Sequence, residues 1–177
     1  MKRINVIDLD DTLLPYDSFR LLIKGEIKKL NIRVWFWVVC RKLRLIPGTL
    51  FKEKLSSLFN KKYPASFYKS FAAKLHKDLN PLVLDLVLSK TDINTINVLI
   101  SASPDLYVKE LISLLGWEGK GSFFNGSNFI HLHGNEKLEW LHNNYSKEDF
   151  EYNFSISDSL SDSLLLEQFK NSIFWTK

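Results

Sequence analysis

Residues 3–9, RINVIDL, with Ile4, Val6, Ile7 and Leu9 apolar, read as a short buried strand that ends in acids, the opening of an α/β unit. From about residue 16 to 90 the period changes to that of helices. Asp17 or Ser18 can cap a first helix whose Phe19, Leu22, Ile23, Ile27 and Leu30 share one face. A second helix is predicted over 32–45, stopped by Pro47-Gly48. A third starts near Thr49 with Phe51, Leu55, Leu58 and Phe59, and a fourth near Ser66 with Phe67, Phe71 and Leu75. Pro81 suits the first turn of a fifth, where its missing N–H costs nothing.

After Lys90 strands return. INVLI (96–100) reads as a buried strand running into Ser101, and 104–115 as a helix opened by Pro104. The glycine-rich GWEGKGSFFNGSN predicts turns with a short strand. Helix is expected over 134–144, strand over 150–156, helix over 160–169 and a last strand over 172–176. Alternating strands and helices with short loops predict an α/β fold, a Rossmann-like parallel sheet flanked by helices. The stretch 15–90 reads as an all-helical insert, leaving 1–14 and 91–177 as the α/β core.

Composition narrows the class. With 177 residues, 45% hydrophobic, 7 Gly and 5 Pro, the chain is neither disordered nor collagen-like. Cys40 is the single cysteine, so no internal disulfide or cysteine-based zinc site can form. MKRINVIDLDDTLL has no apolar core of a secretion signal, and the strongest apolar run, VWFWVVC (34–40), is far shorter than a membrane span. A cytoplasmic protein is expected. Charge is unevenly spread: residues 20–62 carry 12 Lys/Arg against Glu26 and Glu53, a local +10, while the rest carries −6. A basic insert beside an acidic core invites an anionic ligand at their junction, held by acids that themselves need a cation.

The acids that matter follow strands. Asp8 and Asp10 stand two apart after the first strand, so an extended backbone directs both the same way, at the carboxyl end where α/β sheets bind ligands. Asp158 and Asp162 follow the strand at 150–156, and a helix starting near Ser159 would bring both to one site. Paired carboxylates repel unless a cation or a proton sits between them, and hard oxygen donors of this kind suit Mg²⁺. Ser101, at the end of the second core strand, can donate to a phosphoryl oxygen, beside a helix N-terminus that favours anions. Lys137, in GNEKLEWL, can offer positive charge to the same group.

DLDDTLL, then VLISAS, then a helix-borne lysine in GNEKLEWL, then DSLSD, resembles the four motifs of the haloacid dehalogenase (HAD) superfamily. The resemblance covers the whole core and is strongest to the phosphoserine-phosphatase-like branch (subfamily IB), whose second motif commonly reads SAS followed by Pro; the helical insert resembles its C1-type cap. It implies a Mg²⁺-dependent phosphatase acting on a small phosphorylated metabolite. Asp8 would be the nucleophile and Asp10 the general acid and base. Ser101 and Lys137 would bind the phosphoryl group. Asp8, Asp10 (through its carbonyl) and Asp158 would hold the metal, with Thr12 and Asp162 in support. Two positions depart from the pattern: Ser157 stands where glycine often precedes the fourth-motif aspartate, and Asp17 where a substrate-gripping glutamate is usual. A phosphotransferase using the same aspartyl-phosphate, or a binding module that keeps the fold, are the competing readings. Substrate contacts are expected from Asp17, Arg20, Arg41 and Arg44.

His131 and His133 can share one side of a strand, but no third ligand accompanies them, and a surface pair is expected. Gly116, Gly119 and Gly121 lack the spacing of a dinucleotide loop. The segment 28–44 mixes bases with Trp35, Phe36 and Trp37. One expectation has the three aromatics packing inward; the other has the segment meeting an anionic membrane surface or a lipid-linked phosphate. No recognition motif accompanies the charge, which argues against nucleic acid.

Overall fold

The computed structural model describes residues 1–176. A six-stranded sheet has the order β4-β3-β2-β1-β5-β6, with β1 Lys2–Ile7, β2 Thr95–Pro104, β3 Glu118–Asn125, β4 Asn128–Ile130, β5 Phe150–Ser157 and β6 Asn171–Phe174. All neighbours pair in parallel except the β3–β4 hairpin. Five helices connect β1 to β2: α1 Ser18–Lys28, α2 Ile32–Lys42, α3 Gly48–Lys62, α4 Ala65–Lys77 and α5 Pro81–Ser89. Three more follow: α6 Asp105–Leu115, α7 Asn135–Asn144 and the single turn α8 Ser163–Leu166.

Strand alternation distributes the core over both sheet faces. Ile4, Val6, Val98 and Ile100 pack with Leu141 of α7 and Leu165 of α8. Ile7, Leu99, Phe154 and Ile156 pack with the helical side, in a core that runs on through Leu22, Val34, Leu55, Phe59 and Leu75. The inserted helices and the sheet therefore share one continuous apolar core. Within it a polar ladder crosses three strands: Asn153 donates to Asn5 (2.8 Å) and Asn5 to Asn97 (2.9 Å). Because a buried amide without a partner is costly, this ladder also pins the register of β5, β1 and β2.

Three expectations are corrected. The glycine-rich stretch is chiefly strand: β3 and β4 form a hairpin, and its glycines are there for close approach. A Cβ on Gly119 (φ +137°) would lie 2.0 Å from the Leu99 carbonyl oxygen, and one on Gly121 would lie 2.6 Å from that of Ser103. The helix expected over 160–169 is only a 3₁₀ turn, Leu160–Asp162, followed by α8, because Asp162 is drawn inward to a buried partner. Lastly, Trp35 and Phe36 do not pack inward. Both are exposed, and on α2 only Val34 is buried.

A buried carboxylate that sequence pattern did not single out ties the inserted helices together. Glu26, on the inner face of α1, is 1% exposed. It accepts from Lys62 (2.5 Å), Asn31 (2.9 Å), Lys29 (3.2 Å) and the Tyr63 hydroxyl. Burial alone would raise its pKa, but these donors overcome that and hold it at about 2. The folded carboxylate thus gives up its proton more readily than the unfolded one, so its stabilisation is in place above pH 4.5 and is lost as pH falls towards 2. Glu26→Gln should lower stability at pH 7 by about 1–3 kcal/mol, discounted for the part-exposed lysines. It should cost little near pH 2, which chemical denaturation at the two pH values would read.

Candidate active site

The carboxyl ends of β1, β2 and β5 meet at the middle of the sheet, where the chain from β1 runs to one side and β5 lies on the other. This is the switch point at which open α/β sheets bind ligands. After β1 the backbone makes one wide turn over Leu9–Leu13, closed by the Leu14 N–H on the Leu9 carbonyl (2.8 Å). Asp10 is extended there, and Asp11 sits in the left-handed region (φ 58°), which aspartate tolerates better than most residues. The turn presents Asp8 and Asp10 to different partners.

Asp8 is buried and accepts from Lys137 Nζ at 2.7 Å. The same ammonium donates to Asp162 at 2.6 Å, so one buried cation serves two buried carboxylates. Burial opposes the charge on Lys137, yet the two carboxylates hold its pKa above the ordinary lysine range. For Asp8, burial dominates: despite Lys137, its pKa is pushed up to about 7, with Asp162 adding to the rise. The site is rich in negative charge that a further cation would relieve.

Asp10 is held by a different set. It accepts the Ser18 backbone N–H at the start of α1 (2.7 Å) and the Ser103 hydroxyl. The Ser18 hydroxyl lies 2.9 Å from the buried Tyr107 hydroxyl. Burial raises the pKa of Asp10, while Ser103 and Ser18 pull against it. Ser101 is buried, and its hydroxyl accepts the Ser103 N–H at 3.0 Å.

The fourth motif closes on the first. The Asp158 N–H donates to Thr12 Oγ1 (2.9 Å), and the Thr12 hydroxyl donates back to the Asp158 carboxylate (3.3 Å). Burial raises the Asp158 pKa as well. Ser157, the departure from glycine, is buried and donates to Asp162 at 2.7 Å. Its hydroxyl fixes the carboxylate that faces Lys137. Asp158 thus bonds to Thr12, and Asp162 to Lys137 and Ser157.

The inserted helices reach the strand ends through α3. Lys52 is half-buried and donates to the Ala102 carbonyl at 2.9 Å. Burial lowers its pKa, partly offset by Asp10 and Asp17. Lys52 lies outside the four motifs. Its one signal in the sequence is a lysine next to Phe51 and one turn before Leu55, at the edge of the apolar face of α3. Thr49, one turn earlier, contacts His131 Nδ1 (3.3 Å). His131 and His133 are stacked at 5.5 Å, and burial lowers the His131 pKa to about 4.

Of the residues expected to meet a substrate, Asp17 caps α1, accepting from the Arg20 N–H (2.7 Å), and the Arg20 side chain is exposed. Arg41 packs over Gly48 at the start of α3 and donates to the Ile46 carbonyl (3.4 Å). Arg44 is exposed in the turn before α3. Among the described residues no three His, Cys, Asp or Glu side chains stand together as a metal cluster.

No protein-family model matches the chain, and no curated protein matches it by sequence. Solved structures do match its fold. A phosphoserine phosphatase solved as a phospho-aspartyl intermediate analogue is 14% identical with a TM-score of 0.53, over 98% of this chain and 94% of that one. A phosphoserine phosphohydrolase-like protein from Francisella tularensis subsp. tularensis SCHU S4 is 12% identical with a TM-score of 0.52, over 98% and 95%. Cytosolic 5'-nucleotidase IIIB, bound to cytidine, is 13% identical with a TM-score of 0.58, over 97% and 71%. At these identities the likeness is one of fold.

Proposed function

We propose that this chain, which has the fold of the phosphoserine phosphatases, is a phosphoserine-phosphatase-like HAD phosphatase that hydrolyses a small phosphomonoester through an aspartyl-phosphate on Asp8. Residues 15–90 would be its C1-type cap. The observation that carries the reading is the buried Asp8–Lys137–Asp162 triad beside a separately held Asp10, at the ends of adjacent strands. Three motif segments, distant in sequence, supply these groups, and the second motif adds Ser103, which donates to Asp10.

In this reading an Asp8 carboxylate oxygen attacks phosphorus and the ester P–O bond breaks. Asp10, whose burial favours the protonated carboxyl, gives its proton to the departing alkoxide. Asp10 then takes a proton from the water that attacks the aspartyl-phosphate. That P–O bond breaks, returning free Asp8 and inorganic phosphate. Lys137 and Ser101 would offset and orient the phosphoryl oxygens.

Asp8, Asp158 and the Asp10 carbonyl fit Mg²⁺, which takes one or two carboxylates and completes its shell with phosphate and water. Asp8 and Asp158 are hard oxygen donors at the ends of adjacent strands, and burial raises the pKa of both, so a bound cation would favour their ionised forms. When bound, the metal would supply charge stabilisation for the transferring phosphoryl group.

Lys52 would bring a cation from the cap to the same site. Lys52→Met should raise KM for a phosphomonoester about tenfold while changing kcat less, the pattern of lost ground-state binding. Steady-state kinetics on one turned-over substrate would separate the two constants.

Phosphate release from a panel of phosphomonoesters, with Mg²⁺ or with EDTA, tests the function. Mg²⁺-dependent turnover is expected. A folded protein that releases phosphate from none of them, and forms no phosphoester when acceptor alcohols are added, would overturn the reading.

A further inference from the structure

Helix α2 exposes an apolar face that nothing among the described residues covers. Its inner side packs through Val34, Trp37 and Val38. Its outer side carries Ile32 (81% exposed), Trp35, Phe36 (58%), Val39 and Leu43 (64%), spaced as one stripe. Leu30 and Leu45 extend the stripe past either end and are exposed as well. Both turns are unusual: Leu30 (φ 55°) and Arg44 (φ 58°) take the left-handed conformation at helix C-termini where glycine is the ordinary choice. The chain thus places a branched side chain and a long cation at these two corners, in a backbone conformation that disfavours both.

Charge surrounds the stripe. Residues 27–52 contain seven Lys/Arg and no Asp or Glu. Lys28, Arg33 and Lys42 have no ion-pair partner among the described residues. At the N-terminal end of α2 a cleft of about 570 Å³ is walled by Leu30, Ile32 and Leu58 on the apolar side and by Lys29, Arg33 and Lys61 on the cationic side.

We propose that α2 and its two flanking turns form a docking surface for an anionic lipid bilayer. A contiguous exposed apolar patch marks an interaction site, and this charge selects the partner. Two copies meeting through α2 would oppose cation to cation. A nucleic acid would satisfy the bases but has no hydrocarbon for Ile32, Val39 and Leu43. The boundary of an anionic bilayer offers both, with phosphate headgroups for the bases and acyl chains for the stripe, and Trp35 is amphipathic enough to sit between them. Among the described residues no helix is long and apolar enough to cross a membrane, so the contact lies along the surface. The cationic cleft is placed to take a headgroup.

The test is flotation of the full chain with phosphatidylcholine vesicles, with or without phosphatidylglycerol, alongside Phe36→Ser/Val39→Ser and Arg33→Glu/Lys42→Glu. All four positions lie outside the active site, and both double variants should keep the wild-type circular dichroism. Wild type should float with anionic vesicles at low salt and not with neutral ones, with a blue shift of tryptophan fluorescence. Binding should fall at least about tenfold in each double variant and at high salt, as expected for apolar insertion combined with screened attraction. Three outcomes would overturn the proposal: a folded wild type that does not bind anionic vesicles at low salt, binding that neither double variant weakens, or a concentration-dependent dimer abolished by Phe36→Ser/Val39→Ser. None of these depends on phosphatase activity, so failure here leaves the catalytic reading standing.

Discussion

Asp8→Asn should eliminate phosphate release, by roughly 10³-fold or more, since an amide oxygen cannot replace the attacking carboxylate and groups acting as a unit fail together. The protein should remain folded, because Asn keeps the shape and can still accept from Lys137. Its stability should change in a direction that a merely structural residue would not produce. In the metal-free protein burial raises Asp8 to about 7, well above the ordinary value of 3.8. Between these values the native state binds more protons than the unfolded one, so the contribution of Asp8 is fully present below pH 3.8 and is lost as pH rises through 7. The Asn variant carries no such liability. Its melting temperature in EDTA, relative to wild type, should therefore rise from pH 5 to pH 8. Adding Mg²⁺ at pH 8 should stabilise wild type more than the variant. Near-normal turnover by Asp8→Asn would remove the nucleophile assignment.

Lys137→Met should have the largest effect on folding. Lys137 is bonded to both Asp8 and Asp162, at 2.7 and 2.6 Å, and all three are buried. Removing it leaves two neighbouring carboxylates without their counter-charge, a change that costs about 3–5 kcal/mol when one partner of a buried pair is lost. Equilibrium denaturation at pH 8 should show that loss. Lowering the pH should shrink it, because protonation removes the charge that Lys137 balanced. Pairing the substitution with Asp162→Asn should recover part of the stability but not the activity, since Lys137 is also assigned to the phosphoryl group. If Lys137→Met were as stable as wild type at pH 8, the buried triad would not exist in solution.

Much of this protein is written in local pattern. The strand patterns at residues 3–9 and 96–100 became β1 and β2, and the helical periodicity between them became five helices that start close to where they were expected. The acids that end the first and fifth strands were legible for the same reason. A buried strand must be apolar, so charged residues immediately after it stand out, and in a parallel sheet they arrive together at one edge.

Partnership was not legible. That Lys137 would serve Asp8 and Asp162, that Ser157 would hold Asp162, and that Lys52 would reach Ala102 depends on which elements pack together, across separations of 5 to 129 residues. Glu26 stood out in the sequence only as one of two acids in a basic segment, and the meeting of α1 with the end of α3 buried it and supplied its donors. For α2, periodicity marked an amphipathic helix, but two of its sides are apolar, and sequence could not say which would face inward. Tertiary packing chose Val34, Trp37 and Val38 and left Trp35 and Phe36 outside. Periodicity and turn chemistry act within a few residues and so determine elements, their order and the strand ends where acids gather. Burial and charge pairing are properties of surfaces brought together by the whole chain, and they decided which of those acids, bases and aromatics act together.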